Sequence, residues 1–179
     1  MADSTPAIDK VLKWEGKDIF TDDPDDPGGP TKSGCTEVEA RAEGYKGDMK
    51  DMPLEIAIAV FKKKFWDPLC LDQVMDQDIA AQIMQAAVNQ GLGRWKLYIQ
   101  QACNFLMPGY EKLLSVDGSI GPKTLNAINT IAKSNRTGLS KRIYDIQQKR
   151  YDEVQINNPV LKKYRQGWDN RAKDFLITA

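Results

Sequence analysis

The sequence predicts an all-α fold, a helical bundle with at most a short β-hairpin, whose two helical halves pack closely together. Apolar residues recur at helical spacing along most of the 179 residues. Residues that start and end helices bound these segments. No alternation of apolar and polar residues persists long enough to form a large sheet, although a hairpin could form between residues 20 and 35.

The first helix is predicted to begin at Ser4 or Thr5 as its N-cap and to end before Gly16. Its apolar residues lie three or four positions apart, at Ile8, Val11 and Leu12. The next position of this face is Glu15. Burial removes solvation from a carboxylate, and the C-terminal end of a helix places partial negative charge beside it, so both effects are expected to raise the pKa of Glu15. Such a carboxyl group can act as a general acid.

An acidic loop follows this helix. Residues 15–26 contain six acids and one lysine, a local charge of −5, and prolines and glycines shape the segment after residue 23. The clustered negative charge is expected to raise the pKa of Glu15 further. A pair of carboxylates is the catalytic arrangement of glycosidases. The residues alone leave a second interpretation open, in which a solvated helix end is followed by ordinary turns.

The rest of the chain is predicted to form helices joined by short turns. Thr36 and Glu39 have the spacing of a capping box at the start of the second helix. In chain order, the predicted helices cover about residues 36–44, 53–67, 79–89, 95–106, 122–133, 139–155 and 160–175. The pattern breaks near Gly91, which predicts one domain at residues 1–91 and a second at residues 92–179.

Composition excludes several classes of enzyme. The chain has no histidine, which excludes Ser-His-Asp and Cys-His catalytic groups and argues against a zinc hydrolase with histidine ligands. Three cysteines without CxxC spacing, Cys35, Cys70 and Cys103, are expected to be buried thiols and not disulfides or metal ligands. We expect neither a metal nor a cofactor. The net charge of zero gives no indication of nucleic-acid binding.

Two sets of motifs follow one another along the chain. The first set comprises Glu15-Gly16, Asp26-Pro27-Gly28-Gly29-Pro30-Thr31-Lys32-Ser33-Gly34-Cys35-Thr36, Phe65-Trp66 and Val88-Asn89-Gln90-Gly91. It resembles the pattern of glycoside hydrolase family 108, the N-acetylmuramidase group that includes phage endolysins and secretion activators. The second set, at residues 116–125 and 167–171, resembles the peptidoglycan-binding domain that commonly follows.

The resemblance implies a lysozyme-like, α-rich muramidase that cleaves the β-1,4 bond between N-acetylmuramic acid and N-acetylglucosamine in peptidoglycan. In this interpretation Glu15 protonates the leaving oxygen, Asp26 steers a water or stabilises the transition state, and Thr31 holds that water. Asp23 and Asp25 are alternatives to Asp26. A water held in this way favours inversion, which needs about 6.5–9.5 Å between the two carboxyl groups instead of about 5–5.5 Å.

The substrate-binding residues expected from the resemblance are Gly28, Gly29 and Asn89. Glycines suit such a role because they let the backbone approach a sugar closely. Peptidoglycan glycan strands are the expected partner. Residues 141–173 contain nine basic and four acidic residues. A solvated helix surface with salt bridges is the favoured interpretation of this stretch, and attraction to the anionic cell wall is the alternative.

Some positions depart from the family pattern. Lys17 and Asp18 stand where the family has a glycine and a tyrosine, and Gln85 stands where an acid is expected. The loop between Glu15 and Asp26 is also about two residues longer than in the family. These departures support an alternative function, a catalytically inactive cell-wall-binding or secretion-accessory protein of the same fold.

The sequence also gives expectations about location. The longest apolar run, residues 56–61, is too short to span a bilayer, and residues 1–13 lack the features of a signal peptide. We expect synthesis in the cytoplasm, export by a separate component such as a holin or a secretion system, and action on the wall in the periplasm or outside the cell. No integral membrane segment is expected, and a monomer is expected.

Overall fold

The computed structural model describes residues 1–22, 29–107 and 114–178. Most of this part of the chain is helical, which confirms the predicted α-rich class. The helices are α1 Ser4–Trp14, α2 Glu37–Ala42, α3 Leu54–Phe61, α4 Gln77–Gln90, α5 Leu92–Leu106, α6 Pro122–Asn157 and α7 Arg165–Asp174. The strands are β1 Phe20–Thr21, β2 Thr31–Lys32 and β3 Cys35–Thr36. Short 3-10 turns occur at Met49–Asp51, Asp67–Leu69, Leu71–Gln73 and Pro159–Tyr164, and a π-helical turn extends α3 over Lys62–Trp66.

Helix α1 begins one residue earlier than predicted. Asp3, and not Ser4 or Thr5, is the N-cap, and its carboxylate accepts a hydrogen bond from the Thr5 N–H at 2.9 Å. Aspartate satisfies an unpaired backbone donor at a helix start as well as serine or threonine does. The apolar face predicted for this helix is buried, with Ile8, Val11 and Leu12 at its centre.

The small sheet is the predicted hairpin with one further strand. Strands β2 and β3 pair antiparallel, and β1 pairs with β2 on the other side, so that Thr21 lies opposite Thr31. The turn between β2 and β3 consists of Ser33 and Gly34, with φ values of 52° and 71°. Two successive residues with positive φ match the right-handed twist of a two-residue hairpin.

Helix α4 lies at the centre of the molecule. Every residue from 79 to 87 is buried, and the helix contacts α1, α5 and α6. Its polar core residues bond to α6: Gln82 Nε2 donates to the Ser140 carbonyl at 3.1 Å, and Gln147 Nε2 donates to Gln85 Oε1 at 3.0 Å. Gln85 therefore has a structural role. A charged carboxylate at this buried position would face a neutral amide, which does not compensate for lost solvation.

Helix α6 joins two predicted helices. We expected a break between residues 133 and 139, and the structure has a single non-helical residue, Asn135, with φ −150° and ψ 60°. Its side-chain oxygen accepts a hydrogen bond from the Gly138 N–H at 3.1 Å, which caps the second segment. The last predicted helix is also shorter than expected, because the turn Pro159–Tyr164 precedes α7.

The predicted division into residues 1–91 and 92–179 coincides with a local break in the helices and stays a prediction. Gly91 has φ 97° and separates α4 from α5, which starts at Leu92. Helix α4 packs against α5 and α6 as well as against α1, so the two helical halves share one core. Among the described helices, none is both long and apolar enough to cross a lipid bilayer.

The surroundings of the cysteines agree with the expectation that they are packing residues. Cys35 and Cys103 are buried, and burial raises the pKa of Cys35 to about 11 and that of Cys103 to about 12. Both thiols therefore stay protonated at neutral pH. Cys70 is half-buried, and its Sγ lies 3.7 Å from the Ile120 carbonyl oxygen. In the described ranges, no group of histidine, cysteine, aspartate or glutamate side chains could hold a metal ion.

Candidate active site

Glu15 stands at the C-terminal end of α1. Its N–H bonds to the carbonyls of Val11 and Leu12 at 3.2 and 3.1 Å, and the Lys17 N–H bonds to the Leu12 carbonyl at 2.8 Å. Gly16 has φ 82° and turns the chain away from the helix axis. The Glu15 side chain is 25% exposed, so it is sheltered and still accessible from solvent.

The turn between β2 and β3 lies against Glu15. A Cβ atom at Gly34 would be 3.0 Å from the Cβ of Glu15 and 3.4 Å from Cζ of Phe61. Glycine is therefore required at this position for space as well as for its positive φ. Ser33 is buried and anchors the turn: its Oγ accepts a hydrogen bond from the Asp18 N–H at 2.9 Å, and its N–H donates to the Ile19 carbonyl at 3.0 Å.

The ionic partner of Glu15 comes from the other end of the chain. Arg171 of α7 forms an ion pair with Glu15 through Nη2, although the two residues are 156 positions apart. The Arg171 side chain is only 10% exposed. A guanidinium beside a carboxyl group stabilises its ionised form, which opposes the effects of burial and of the helix end.

Helix α7 is fixed against α1 by several contacts beside this ion pair. Trp14 Nε1 donates to a carboxylate oxygen of Asp174 at 2.9 Å, and Lys10 Nζ donates to the Asp174 carbonyl at 2.6 Å. The Lys10 ammonium also lies 4.2 Å from the centre of the Phe175 ring. Lys10 and Trp14 are one turn apart on α1, so they present a single surface to the end of α7.

Aromatic residues fix α7 against α6. Trp168, three residues before Arg171, stacks on Tyr151 with ring centres 5.2 Å apart. The Tyr151 hydroxyl donates to Oδ1 of Asn89 at 2.7 Å. Burial raises the pKa of Tyr151 to about 12, so this hydroxyl keeps its proton at neutral pH. Asn89, predicted to bind substrate, is thus held by α6 through its side-chain oxygen.

Of the remaining predicted site residues, Thr31 lies on β2, Gly29 lies shortly before it, and the others are outside the described part of the chain. Thr31 is on β2, and its Oγ1 lies 3.3 Å from the carbonyl oxygen of Gly29. Asp26 and Gly28 lie outside the described residues, as do the alternatives Asp23 and Asp25. The separation of the two carboxyl groups that are predicted to be catalytic therefore stays open, and the assigned roles of all these residues stay predictions.

The glycine-containing motif before α6 forms a structural turn. Gln100 of α5 holds it: Oε1 accepts from the N–H groups of Asp117 and Gly118 at 3.1 and 2.9 Å, and Nε2 donates to Asp117 Oδ1 at 2.9 Å. This bond from Gln100, together with one from the Ser119 N–H, holds the pKa of Asp117 below its usual value. These contacts give the residues before α6 a structural role as a turn that leads into the helix.

Two other groups of residues have structural surroundings. Trp66 and Trp95 are buried in the core and cannot stack on a sugar from solvent. Several basic side chains of residues 141–173 form ion pairs with acidic neighbours, namely Lys141–Asp145, Arg150–Glu153, Arg165–Asp152 and Arg165–Asp169. These pairs agree with a solvated helix surface.

Comparison with known proteins gives a family match for the first part of the chain. Residues 8–91 match the family model described as Glycosyl hydrolase 108. This match covers somewhat less than half of the 179 residues, so it shows a similarity of the N-terminal part to that family. Residues 96–173 match the model described as Predicted Peptidoglycan domain. Together the two matches support a glycoside hydrolase of lysozyme-like type that acts on peptidoglycan, as the motifs predicted.

Similarity to a solved structure extends over nearly the whole chain. The structure described as Brucella abortus SagA has a TM-score of 0.66 and 21% sequence identity, and the match covers 96% of this chain and 90% of that chain. At this identity the likeness concerns the fold alone. No curated protein sequence matches the chain.

Our sequence analysis did not identify two features of this site, the Arg171–Glu15 ion pair and the contact of the turn at Ser33 and Gly34 with Glu15. The Arg171–Glu15 pair has no local signal, because the two residues come from opposite ends of the chain. The turn at Ser33 and Gly34 does have one: a serine and a glycine lie between two short segments that form strands. Such a pair is a hairpin signal, and it points to the place where the turn meets Glu15.

Proposed function

We propose that the protein is an N-acetylmuramidase that hydrolyses the β-1,4 bond between N-acetylmuramic acid and N-acetylglucosamine in peptidoglycan, with Glu15 as the general acid. The observation that supports this role is the position of Glu15 within the glycosyl hydrolase 108 region, half-buried at a helix end and beside a fixed hairpin turn. A general acid must be accessible to the glycosidic oxygen and held in one direction.

The reaction follows the two-carboxyl scheme of glycosidases. Glu15, protonated and released from Arg171, donates its proton to the oxygen that leaves as the bond to the anomeric carbon breaks. A water then adds to the anomeric carbon and loses a proton to the second carboxylate. We assign that carboxylate to Asp26 and propose that Thr31 holds the water. Gly28, Gly29 and Asn89 are proposed to contact the glycan strand.

The test is digestion of purified peptidoglycan, followed by borohydride reduction and mass spectrometry of the fragments. The expected products carry new reducing ends on N-acetylmuramic acid. New reducing ends on N-acetylglucosamine would contradict the bond assignment and leave a glycosidase. Release of peptides without any new reducing ends would contradict glycoside hydrolysis as a whole.

The second candidate function is a catalytically inactive wall-binding or secretion-accessory protein. The ion pair between Arg171 and Glu15 is the observation that favours it, because a paired carboxylate does not donate a proton. Co-sedimentation with insoluble peptidoglycan, measured beside the digestion, distinguishes the two functions. Binding without any fragments supports the second candidate.

The place of action is part of the same proposal. Peptidoglycan lies outside the cytoplasmic membrane, so we propose that the protein acts in the periplasm or outside the cell and that a holin or a secretion system exports it. Fractionation of producing cells with and without such a component checks this proposal. Equal amounts of the protein at the wall in both strains would contradict it.

A further inference from the structure

The guanidinium group of Arg171 is only partly hydrogen-bonded within the described residues. Nη2 contacts Oε1 of Glu15, and Nε is buried without a hydrogen-bond partner among the described residues. The Nε–H and one Nη2–H of a guanidinium point in the same direction and form a fork that suits the two oxygens of a carboxyl group. One of these two donors, Nη2, therefore contacts Glu15, and the other, Nε, has no partner among the described residues.

The position of this fork is fixed by packing on two sides. On the side of α1, Asp174 receives hydrogen bonds from Trp14 and Lys10. On the side of α6, Trp168 stacks on Tyr151. Arg171 lies between these two anchors in the sequence and is nine-tenths buried. Its charged end therefore has little freedom to follow Glu15 if the glutamate side chain rotates.

The lysines near the end of α1 have their own carboxylate partners. The ion pairs are Lys13–Asp9, Lys17–Asp9 and Lys10–Asp174. From α6, the hydroxyl of Tyr151 lies near Arg171 and bonds to Asn89. The hairpin turn presents Ser33, which bonds to Asp18. Within the part of the chain that the structure describes, Arg171 is thus the cation that pairs with Glu15.

We propose that Arg171 is a positioning residue of the active site. It orients the carboxyl group of Glu15 and controls whether that group is protonated before the reaction. The C-terminal half of the chain is then part of the catalytic site in addition to any contact with the wall. This inference rests on the proposed role of Glu15. Loss of Arg171 misdirects the acid, and it also removes the charge that favours the ionised form.

The test uses three variants of the full chain. Arg171→Met removes the charge and both donors, Arg171→Lys keeps the charge without the fork, and Lys173→Met is the matched control. Lys173 lies two residues away on the exposed face of α7, so its replacement changes the net charge equally. The measurements are kcat and KM on peptidoglycan fragments across pH, and the titration of the Glu15 carboxyl carbon by NMR.

For Arg171→Met we expect kcat to fall at least about tenfold, because a misdirected acid reacts slowly. We also expect the alkaline limb of the rate profile to move upward, because removal of a neighbouring cation disfavours the carboxylate form. Arg171→Lys keeps the positive charge, so it should leave the alkaline limb of the rate profile in place. It lacks the two parallel donors, so it should still lower kcat. Lys173→Met should change neither quantity.

Each outcome decides the proposal. A folded Arg171→Met protein with unchanged kcat, alkaline limb and Glu15 titration overturns it. If Arg171→Met does not fold, Arg171→Lys decides, and an unchanged kcat in that variant overturns the positioning role. If the wild-type protein cleaves no peptidoglycan but the Glu15 titration moves in Arg171→Met, the proposed function fails and the control of Glu15 by Arg171 stands.

Discussion

Two helix ends in this molecule have the same local structure and different surroundings. Glu15-Gly16 ends α1 and Glu43-Gly44 ends α2. The glutamates have φ/ψ of −85°/5° and −88°/8°, and the glycines have φ of 82° and 86°. The two glutamate side chains are also similarly exposed, at 25% and 21%. Local sequence and backbone therefore do not distinguish them.

Their partners do. Glu43 pairs at 2.7 Å with Lys63, which is 68% exposed, and a Cβ on Gly44 would meet nothing within 4 Å. Glu15 pairs with Arg171, which is largely buried, and lies against the turn at Gly34. An exposed ion pair is strongly screened by water, whereas a sheltered one is not. A glutamate–glycine helix end thus becomes a candidate catalytic site only through its tertiary contacts.

The largest difference between the two ends is expected in catalysis. Glu15→Gln should lower turnover on peptidoglycan at least about a hundredfold, because an amide cannot donate the proton. Glu43→Gln should leave turnover unchanged. Both rates can be measured from the release of reducing ends, with thermal unfolding as the control for folding. Equal turnover of the two variants would remove Glu15 from the mechanism.

The glycines allow the second comparison. Gly44→Ala should destabilise the protein by about 1–2 kcal/mol, the cost of a side chain in left-handed backbone, without changing turnover. Gly34→Ala has the same backbone cost and also crowds the Glu15 Cβ, so we expect a greater loss of stability and lower turnover. Urea unfolding and the reducing-end assay measure the two effects. Equal losses in both variants would show that the turn does not constrain Glu15.

Asp76 gives the opposite case, a carboxylate at the start of a helix. Burial alone raises its pKa, but the hydrogen bonds from Arg136 and from the Ile79 N–H hold that pKa below its usual value. A lowered pKa contributes stability above the pKa of the unfolded chain, and that stability is lost as the pH falls through the folded-state pKa. Asp76→Asn should therefore destabilise the protein at neutral pH by about 1 kcal/mol.

This loss of stability should diminish in acid, because Asp76 of the wild-type protein is then protonated and is as uncharged as the asparagine of the variant. Unfolding free energies of wild type and Asp76→Asn, measured from neutral pH downward, check this expectation. The control is Asp78→Asn, because the Asp78 carboxylate pairs with the same arginine and is more exposed than that of Asp76. A constant difference at all pH values would assign the effect to the shape of the side chain and not to its charge.

The smallest effect is expected at the exposed ion pair of α2. Lys63→Met should change the free energy of unfolding by less than about 1 kcal/mol, because exposed pairs contribute little. Salt should reduce the contribution further. Urea unfolding at low and high salt measures this change. A large and salt-independent loss would mean that the two helix ends differ less than their surroundings suggest.

Much of the fold could be predicted because its signals are local. The capping box of Thr36 and Glu39 is present in the structure, and α5 ends at Leu106 as predicted. The errors also have local causes. Asp3 competes with Ser4 and Thr5 as N-cap of α1, and the side chain of Asn135 replaces a loop inside α6. Such choices depend on small energy differences between neighbouring residues.

The candidate site was predictable only in part. Glu15 is marked by its position at the end of an apolar helix face, and Gly34 by a hairpin signal. The predicted role of Asn89 in substrate binding stays a prediction, and its side-chain oxygen accepts a hydrogen bond from Tyr151. That bond joins α4 to α6 across 62 positions of the chain. Periodicity within a helix carries no information about such a partner.

The sequence by itself determined the helical class, most of the helix ends and the family motifs, because spacing and capping act within a few residues. Only the tertiary structure decided which of two glutamate–glycine ends meets a buried arginine. The reason is that Arg171 reaches Glu15 through the packing of α7 on α1 and α6, in which Trp14 and Tyr151 take part. Contacts of this kind depend on the whole core and not on any local pattern.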